Sequence, residues 1–210
     1  MADYKKPDYW QQKARKEGYP ARSVYKLKEI DEKFDLLKPR RGALRVLDLG
    51  AAPGSWSLYV LRKMAARNVK DLKSLLTAAD LSPLSREFDK GLFDGDNFFF
   101  IQGDITAAEV EETLLSKGPY SAIISDAAPA TTGNHTVDAA RSLELAETVI
   151  AYAQSALAEG GNLVLKIFQG GESGAILKQM KALFETAKSF KPEACRGESV
   201  ETYFIGLGKK

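Results

Sequence analysis

Apolar runs of strand length alternate along this chain with stretches of helical period. Residues 43–49 (ALRVLDL) are an apolar run stopped by Gly50, the pattern of a buried strand. From Ser57 onward, Leu58, Val60, Leu61 and Met64 keep a helical repeat to about Arg67. The alternation continues with strands at 75–79 and 97–102, a helix at 107–116 and a strand at 121–125. A long Ala-, Leu- and Glu-rich helix at 138–158 is stopped by Glu159-Gly160-Gly161, and a strand follows at 162–168. After a helix at 174–184 come strands near 188–191 and at 202–208. Strands separated by helices make βαβ units, so the pattern predicts an α/β protein with a doubly wound, mostly parallel sheet covered on both faces. No helix separates the last two strands, which predicts an antiparallel hairpin at one edge. No repeat or linker interrupts this pattern. The expected division is an N-terminal appendage at 1–41 and a single domain at 42–210.

Charge sharpens that division. Residues 1–41 hold 12 Lys/Arg against 7 Asp/Glu, whereas the remaining 169 hold 18 against 21, so a basic arm precedes a mildly acidic body. Tyr4, Tyr9, Trp10, Tyr19 and Tyr25 interleave there with Lys5, Lys6, Lys13, Arg15, Lys16, Arg22 and Lys26. Cations neutralise phosphate and rings stack on unpaired bases, so the mixture suits RNA; the alternative is an amphipathic helix whose rings pack on the domain. No run approaches membrane-spanning length, and the N-terminus lacks the apolar region of a signal peptide, so a cytoplasmic protein is expected. One Cys (Cys195) and one His (His135) leave no material within the chain for a disulfide framework, a Cys/His zinc site or a Cys–His pair. His135 reads as a loop residue and Cys195 carries no assigned chemistry. A monomer is the plainer expectation.

The most informative segment is 46–56 (VLDLGAAPGSW), where a strand turns through Gly50-Ala51-Ala52-Pro53-Gly54 into a helix. In open parallel sheets ligands bind beyond the carboxyl ends of the strands, which is where this turn lies. Gly50 and Gly54 let a ligand approach the backbone. The spacing is neither G-x-G-x-x-G nor a P-loop, which disfavours a pyrophosphate cradle and a nicotinamide-dependent dehydrogenase. A cofactor with an adenosine and an amino-acid group fits better. Asp80, ending the second strand, suits ribose hydroxyls, and Asp104, after the third, could accept from an adenine amino group.

DLGAAPGSWS, ISDAAPATTG, LVLKIFQG and the upstream ARSVYKLKEID occur in the order of the FtsJ/RrmJ family, which this chain strongly resembles from about Ala21 to its C-terminus. That family consists of S-adenosylmethionine-dependent RNA 2′-O-methyltransferases. The resemblance implies a Rossmann-like class I methyltransferase fold with a seven-stranded sheet. It further implies methyl transfer from S-adenosylmethionine, with S-adenosylhomocysteine as product, to a ribose 2′-hydroxyl. The substrate it suggests is a uridine of large-subunit (23S-type) ribosomal RNA, free or in the assembled subunit. The same reaction on tRNA or another RNA, or a cofactor-binding ribosome-assembly factor, are the alternatives. The family's Lys-Asp-Lys-Glu tetrad falls on Lys26, Asp126, Lys166 and Glu201. Glu198 competes for the last place, but Glu201 directly precedes Thr202-Tyr203 and the final strand. The cofactor contacts fall on Gly54, Trp56, Asp80, Asp104 and Asp126, beside the Gly50 of the turn. Ser55 replaces a usual glycine, and Ala130-Thr131-Thr132 stands where Asn-Met-Ser is common.

Lys166 is also informative by itself. It interrupts the apolar run 163–168, where an unpaired ammonium would cost several kcal/mol, so it needs carboxylate partners or must shed its proton. Asp126 ends the neighbouring strand and is the expected partner; a purely structural ion pair is the plainer alternative. A ribose hydroxyl is a weak acid, and its oxygen must be aligned with the methyl carbon while its proton is removed. Lysine serves as base when desolvation and a second cation disfavour its charged form, and Lys26 is the expected second cation.

Overall fold

The computed structural model describes residues 8–38, 43–66, 74–170, 173–197 and 199–210. Tyr4, Lys5, Lys6, the predicted helix end at Arg67, the 41/42 boundary and Glu198 lie outside these residues. Two helices come first, α1 (Tyr9–Lys16) and α2 (Val24–Phe34). There follow β1 (Arg45–Leu49), α3 (Ser55–Ala66), β2 (Leu75–Asp80), β3 (Phe98–Gln102), α4 (Ala108–Ser116) and β4 (Tyr120–Ser125). The chain closes with α5 (His135–Ala156), β5 (Leu157–Phe168), α6 (Ser173–Leu183), β6 (Phe184–Phe190) and β7 (Glu201–Lys209).

The seven strands form one sheet in the order β3-β2-β1-β4-β5-β7-β6. The strands β1 to β5 are mutually parallel, and β7 runs antiparallel to both β5 and β6. The expected terminal hairpin is therefore present, with β7 inserted between β5 and the outer strand β6. Because β1 has β2 on one side and β4 on the other, the connections leaving β1 and β4 part here, which opens a crevice at their carboxyl ends.

Strand alternation sorts the core into two layers. Leu47, Leu49, Ile123, Leu163, Leu165 and Ile167 face α4, α5 and α6. Val46, Leu76, Ala122, Ile124, Val164, Tyr203 and Ile205 face α2 and α3. Leu27 and Ile30 of α2, with Leu36 and Leu37, share this second cluster, so N-terminal residues 27–37 pack into the same core as the strands. The charged N-terminal helix α1 begins at an Asp8 cap that accepts from Gln11 N and carries Lys13, Arg15 and Lys16 in its last turn, where cations meet the negative end of the helix dipole.

The predicted elements recur with shifted ends. Glu159-Gly160-Gly161 is a bulge within β5, not a stop before it. Leu157 already pairs with Tyr120, and the register then shifts to Asn162 with Ala122 while Gly160 turns at φ 72°. Strand β6 begins at Phe184, earlier than its composition suggests, because an outer strand with an exposed polar face need not be apolar. Among the described residues no helix is long and apolar enough to cross a membrane.

Candidate active site

The turn after β1 is built on main-chain contacts. Gly50 N and Ala51 N both donate to Ala79 O at the end of β2, at 2.9 and 3.1 Å. Gly50 has φ 79°, and a Cβ there would lie 2.6 Å from Ala127 Cα, so the turn and the chain leaving β4 touch at a point that only glycine permits. Helix α3 starts immediately afterwards, at Ser55. Its first amides point toward the turn, as helix N-termini do.

Asp48 and Asp80 border this turn, and a third carboxylate, Asp104, follows β3. Asp80 accepts from Ala52 N through Oδ2 at 2.9 Å and from Ser82 N through Oδ1 at 2.8 Å, which leaves a lone pair on each oxygen. Asp48, which composition hid as the polar residue of an apolar strand, is fully buried. Its Oδ2 accepts from Ser57 Oγ at 2.7 Å, while its Oδ1 has no hydrogen-bond partner among the described residues. Burial pushes its carboxyl up to about 7 against the lowering effect of Ser57, and the charges of Asp126 and Asp80 push the same way as burial. Asp104 stands exposed after β3, where Thr106 donates to its Oδ1 from N and Oγ1; these bonds lower its pKa. The indole of Trp56 does not face the turn. It is buried in the α2–α3 layer and donates from Nε1 to Ser23 O at 2.8 Å, so only its main chain is near the turn.

Beyond β4 and β5 the four residues of the tetrad converge as two ion pairs. Lys166 Nζ lies 3.1 Å from Asp126 Oδ1 and donates to Asp126 O at 2.5 Å. Lys26 Nζ lies 2.7 Å from Glu201 Oε1. Strand parity explains the convergence. Lys166 shares the face of Val164, and β7 sets Tyr203 opposite Lys166 and Glu201 opposite Phe168, all toward α2, which carries Lys26. The four side chains are 10–17% exposed, a rim rather than a sealed core.

Tyr203 joins the two pairs and was not singled out by sequence. Its hydroxyl donates to Asp126 Oδ1 at 2.6 Å, and Lys26 Nζ sits 5.9 Å from its ring centroid. Burial and the neighbouring Asp126 hold its phenol well above the ordinary range, so it remains a donor. The signal in sequence was its place two residues after Glu201, hence on the same strand face. Cys195 is buried beside Glu201 and, with its thiol pushed up to about 12 mainly by burial, it remains a thiol. His135 is the exposed first residue of α5, and Thr132 is fixed by Asp138, which accepts from its N and Oγ1 at 2.7 and 2.8 Å. No group of His, Cys, Asp and Glu among the described residues could hold a metal ion.

The family profile for FtsJ-like methyltransferases matches residues 19–209. The chain belongs to the FtsJ-like methyltransferase family. Among relatives of this FtsJ-like methyltransferase, Ribosomal RNA large subunit methyltransferase E of Treponema denticola is 50% identical over 207 residues, 99% of this chain and 97% of the relative. The protein of the same name from Oleidesulfovibrio alaskensis is 46% identical over 97% of this chain and 92% of its own. A ribosomal RNA methyltransferase of Plasmodium falciparum, described by that name in its crystal structure, superposes with a TM-score of 0.72 at 24% identity, covering 91% of this chain and 98% of that one; at this identity it speaks for the shared fold.

Proposed function

We propose that this FtsJ-like methyltransferase moves a methyl group from S-adenosylmethionine to a ribose 2′-hydroxyl of large-subunit ribosomal RNA, the substrate named for its relatives. The observation that carries the reading is the Lys166–Asp126 pair, set at the carboxyl rim of the sheet on the strand next to the one that adjoins the glycine turn.

The residues of the turn suit this cofactor. The charges of Asp80 and Asp126 reach buried Asp48, whose Oδ1 is an acceptor with no hydrogen-bond partner among the described residues. Such a concentration of negative charge favours a ligand with a sulfonium and an ammonium and opposes a diphosphate, which argues against the nicotinamide alternative. Asp80, with a free lone pair on each oxygen, would take the ribose hydroxyls. Asp104 would face the adenine, and Gly50, Gly54 and the main chain at Trp56 would lie along the amino-acid moiety. When bound, S-adenosylmethionine supplies a methyl group already activated by its sulfonium.

Lys166 directs two of its three donor positions at Asp126, and the third, without a partner among the described residues, is available to the ribose hydroxyl. Held by the carboxylate and the carbonyl of Asp126, Lys166 Nζ would align the hydroxyl oxygen with the methyl carbon or take its proton, as the carbon–oxygen bond forms and the carbon–sulfur bond breaks. Tyr203 fixes the Asp126 carboxylate from the other side. Lys26, anchored by Glu201, contributes positive charge at the rim where a phosphate-bearing substrate arrives.

The basic residues within 1–41 supply further RNA contact. Tyr9 is 69% exposed, and Lys13 lies 5.3 Å over the half-buried ring of Trp10, which together offer a cation and an exposed ring; Tyr25 beneath them is buried, with Trp10 and Tyr19 packed against its cluster. The test is incubation with methyl-labelled S-adenosylmethionine and separate pools of large subunits, naked large-subunit rRNA and tRNA, followed by mapping of the modified position. Label at a ribose 2′-oxygen of large-subunit RNA is expected; label confined to tRNA, or none, overturns the reading.

A further inference from the structure

The residue that departs from the family's usual glycine makes a specific contact. Ser55, the first residue of α3, is 1% exposed. Its Oγ accepts from Ala21 N at 2.8 Å and donates to Ala21 O at 3.1 Å, a reciprocal clasp on the segment leading into α2. One position further along α3, Trp56 Nε1 donates to Ser23 O at 2.8 Å. That same carbonyl accepts from Lys26 N at 3.0 Å. Ser23, at the head of α2, makes no side-chain cap hydrogen bond among the described residues, and α3 supplies side-chain bonds there, alongside the contacts of Arg22 to Asp8 and Ala194.

The contacts therefore form a continuous path. It runs from the glycine turn at 50–54, through Ser55 and Trp56, to residues 21 and 23, and ends at Lys26 with its ion pair to Glu201. We propose that Ser55 is a positioning residue: its hydroxyl couples cofactor occupancy of the glycine turn to the placement of Lys26. The inference rests on the cofactor site proposed above. Physically, a ligand that orders the turn fixes the start of α3. The two-bond clasp then passes that order to the first turn of α2, whose own backbone lacks a side-chain cap. With a glycine at 55, the Trp56 bond to Ser23 would be the remaining side-chain hydrogen bond among the described residues from the head of α3 to residues 21–23, so the coupling at Ala21 is a property of this chain's serine.

Hydrogen–deuterium exchange on the full chain, with and without S-adenosylhomocysteine, tests this without relying on turnover. In the parent the ligand should slow amide exchange at residues 50–54 and also at 21–26. In Ser55→Ala and Ser55→Gly the protection at 50–54 should persist while that at 21–26 falls about tenfold or more, the scale of a hydrogen-bonded latch opening locally. Initial rates on large-subunit RNA supply the second readout. Ser55→Ala should lower kcat in the parent background and add no further loss to Lys26→Ala, because the serine acts through that lysine. Protection at 21–26 in both Ser55 variants equal to the parent, or losses that simply multiply with Lys26→Ala, would overturn the coupling. Ligand protection at 50–54 with none at 21–26 in the parent overturns the coupling alone, and absence of protection at 50–54 overturns the cofactor site and the coupling together.

Discussion

The phenol of Tyr203 donates a 2.6 Å hydrogen bond to the carboxylate of Asp126, the same oxygen that Lys166 approaches at 3.1 Å. One oxygen thus joins an ammonium and a buried hydroxyl, and the tyrosine stands directly opposite Lys166 in the β5–β7 register. Tyr203→Phe removes that donor and keeps the ring in the α2–α3 layer. A hydrogen bond to a charged group is worth about 1.5–3 kcal/mol, so kcat for RNA methylation should fall about tenfold or more. Isothermal titration should show affinity for S-adenosylhomocysteine within about twofold of the parent, since a larger loss would correspond to a contact in the cofactor site itself.

Asp48 gives the protein a pH signature. Its folded-state carboxyl is raised, to about 7, chiefly by burial. In the unfolded chain an aspartate ionises near 4, so between these values the folded state holds a proton that the unfolded state has lost. Stability from this group is therefore greatest below about pH 4 and declines as pH rises toward 7. Asp48→Asn removes the effect. The difference in unfolding free energy between Asp48→Asn and the parent should grow with pH by up to about 1.4 kcal/mol per unit across that window, measured by urea denaturation in a pH series. A constant difference would contradict the assignment.

Asp31 is the anchor between α2 and α3. Its buried carboxylate accepts from Leu37 N at 2.8 Å and from Tyr59 OH at 2.9 Å, and pairs with Lys63. Asp31→Ala removes the buried carboxylate that accepts from the Leu37 amide and the Tyr59 phenol and that pairs with Lys63. A loss of about 3 kcal/mol or more in urea unfolding is expected, with a correspondingly lower Tm. The double variant Asp31→Ala/Lys63→Ala should lose less than the sum of the two single changes, because the pair acts as a unit.

Much of the architecture was legible because its causes are local. The apolar runs at 43–49 and 121–125 and the glycine turn between β1 and α3 declare strands and a ligand-facing turn through period and residue type alone. Lys166 was legible for a related reason, as a charge that a buried strand does not tolerate unless it is paired. The bulge at Glu159-Gly160-Gly161 was not, since glycine ends a helix and bends a strand by the same freedom of φ. Tyr203 and Asp31 were hidden because their importance depends on partners 77 and 28 to 32 residues away, and an aromatic in a strand or an acid on a helix is ordinary composition. Trp56 was legible as a residue beside the turn, but its side chain turns to Ser23 because α2 offers its indole an acceptor that the turn does not.

The most direct test of the central claim is single-turnover methyl transfer by Lys166→Ala, with cofactor affinity measured on the same preparation. If Lys166 handles the hydroxyl proton, the transfer rate should fall by about 10²–10⁴-fold, the usual worth of a positioned acid or base, while S-adenosylmethionine binds within about threefold of the parent. Transfer at near-parent rates by a variant that still binds the cofactor would contradict the account.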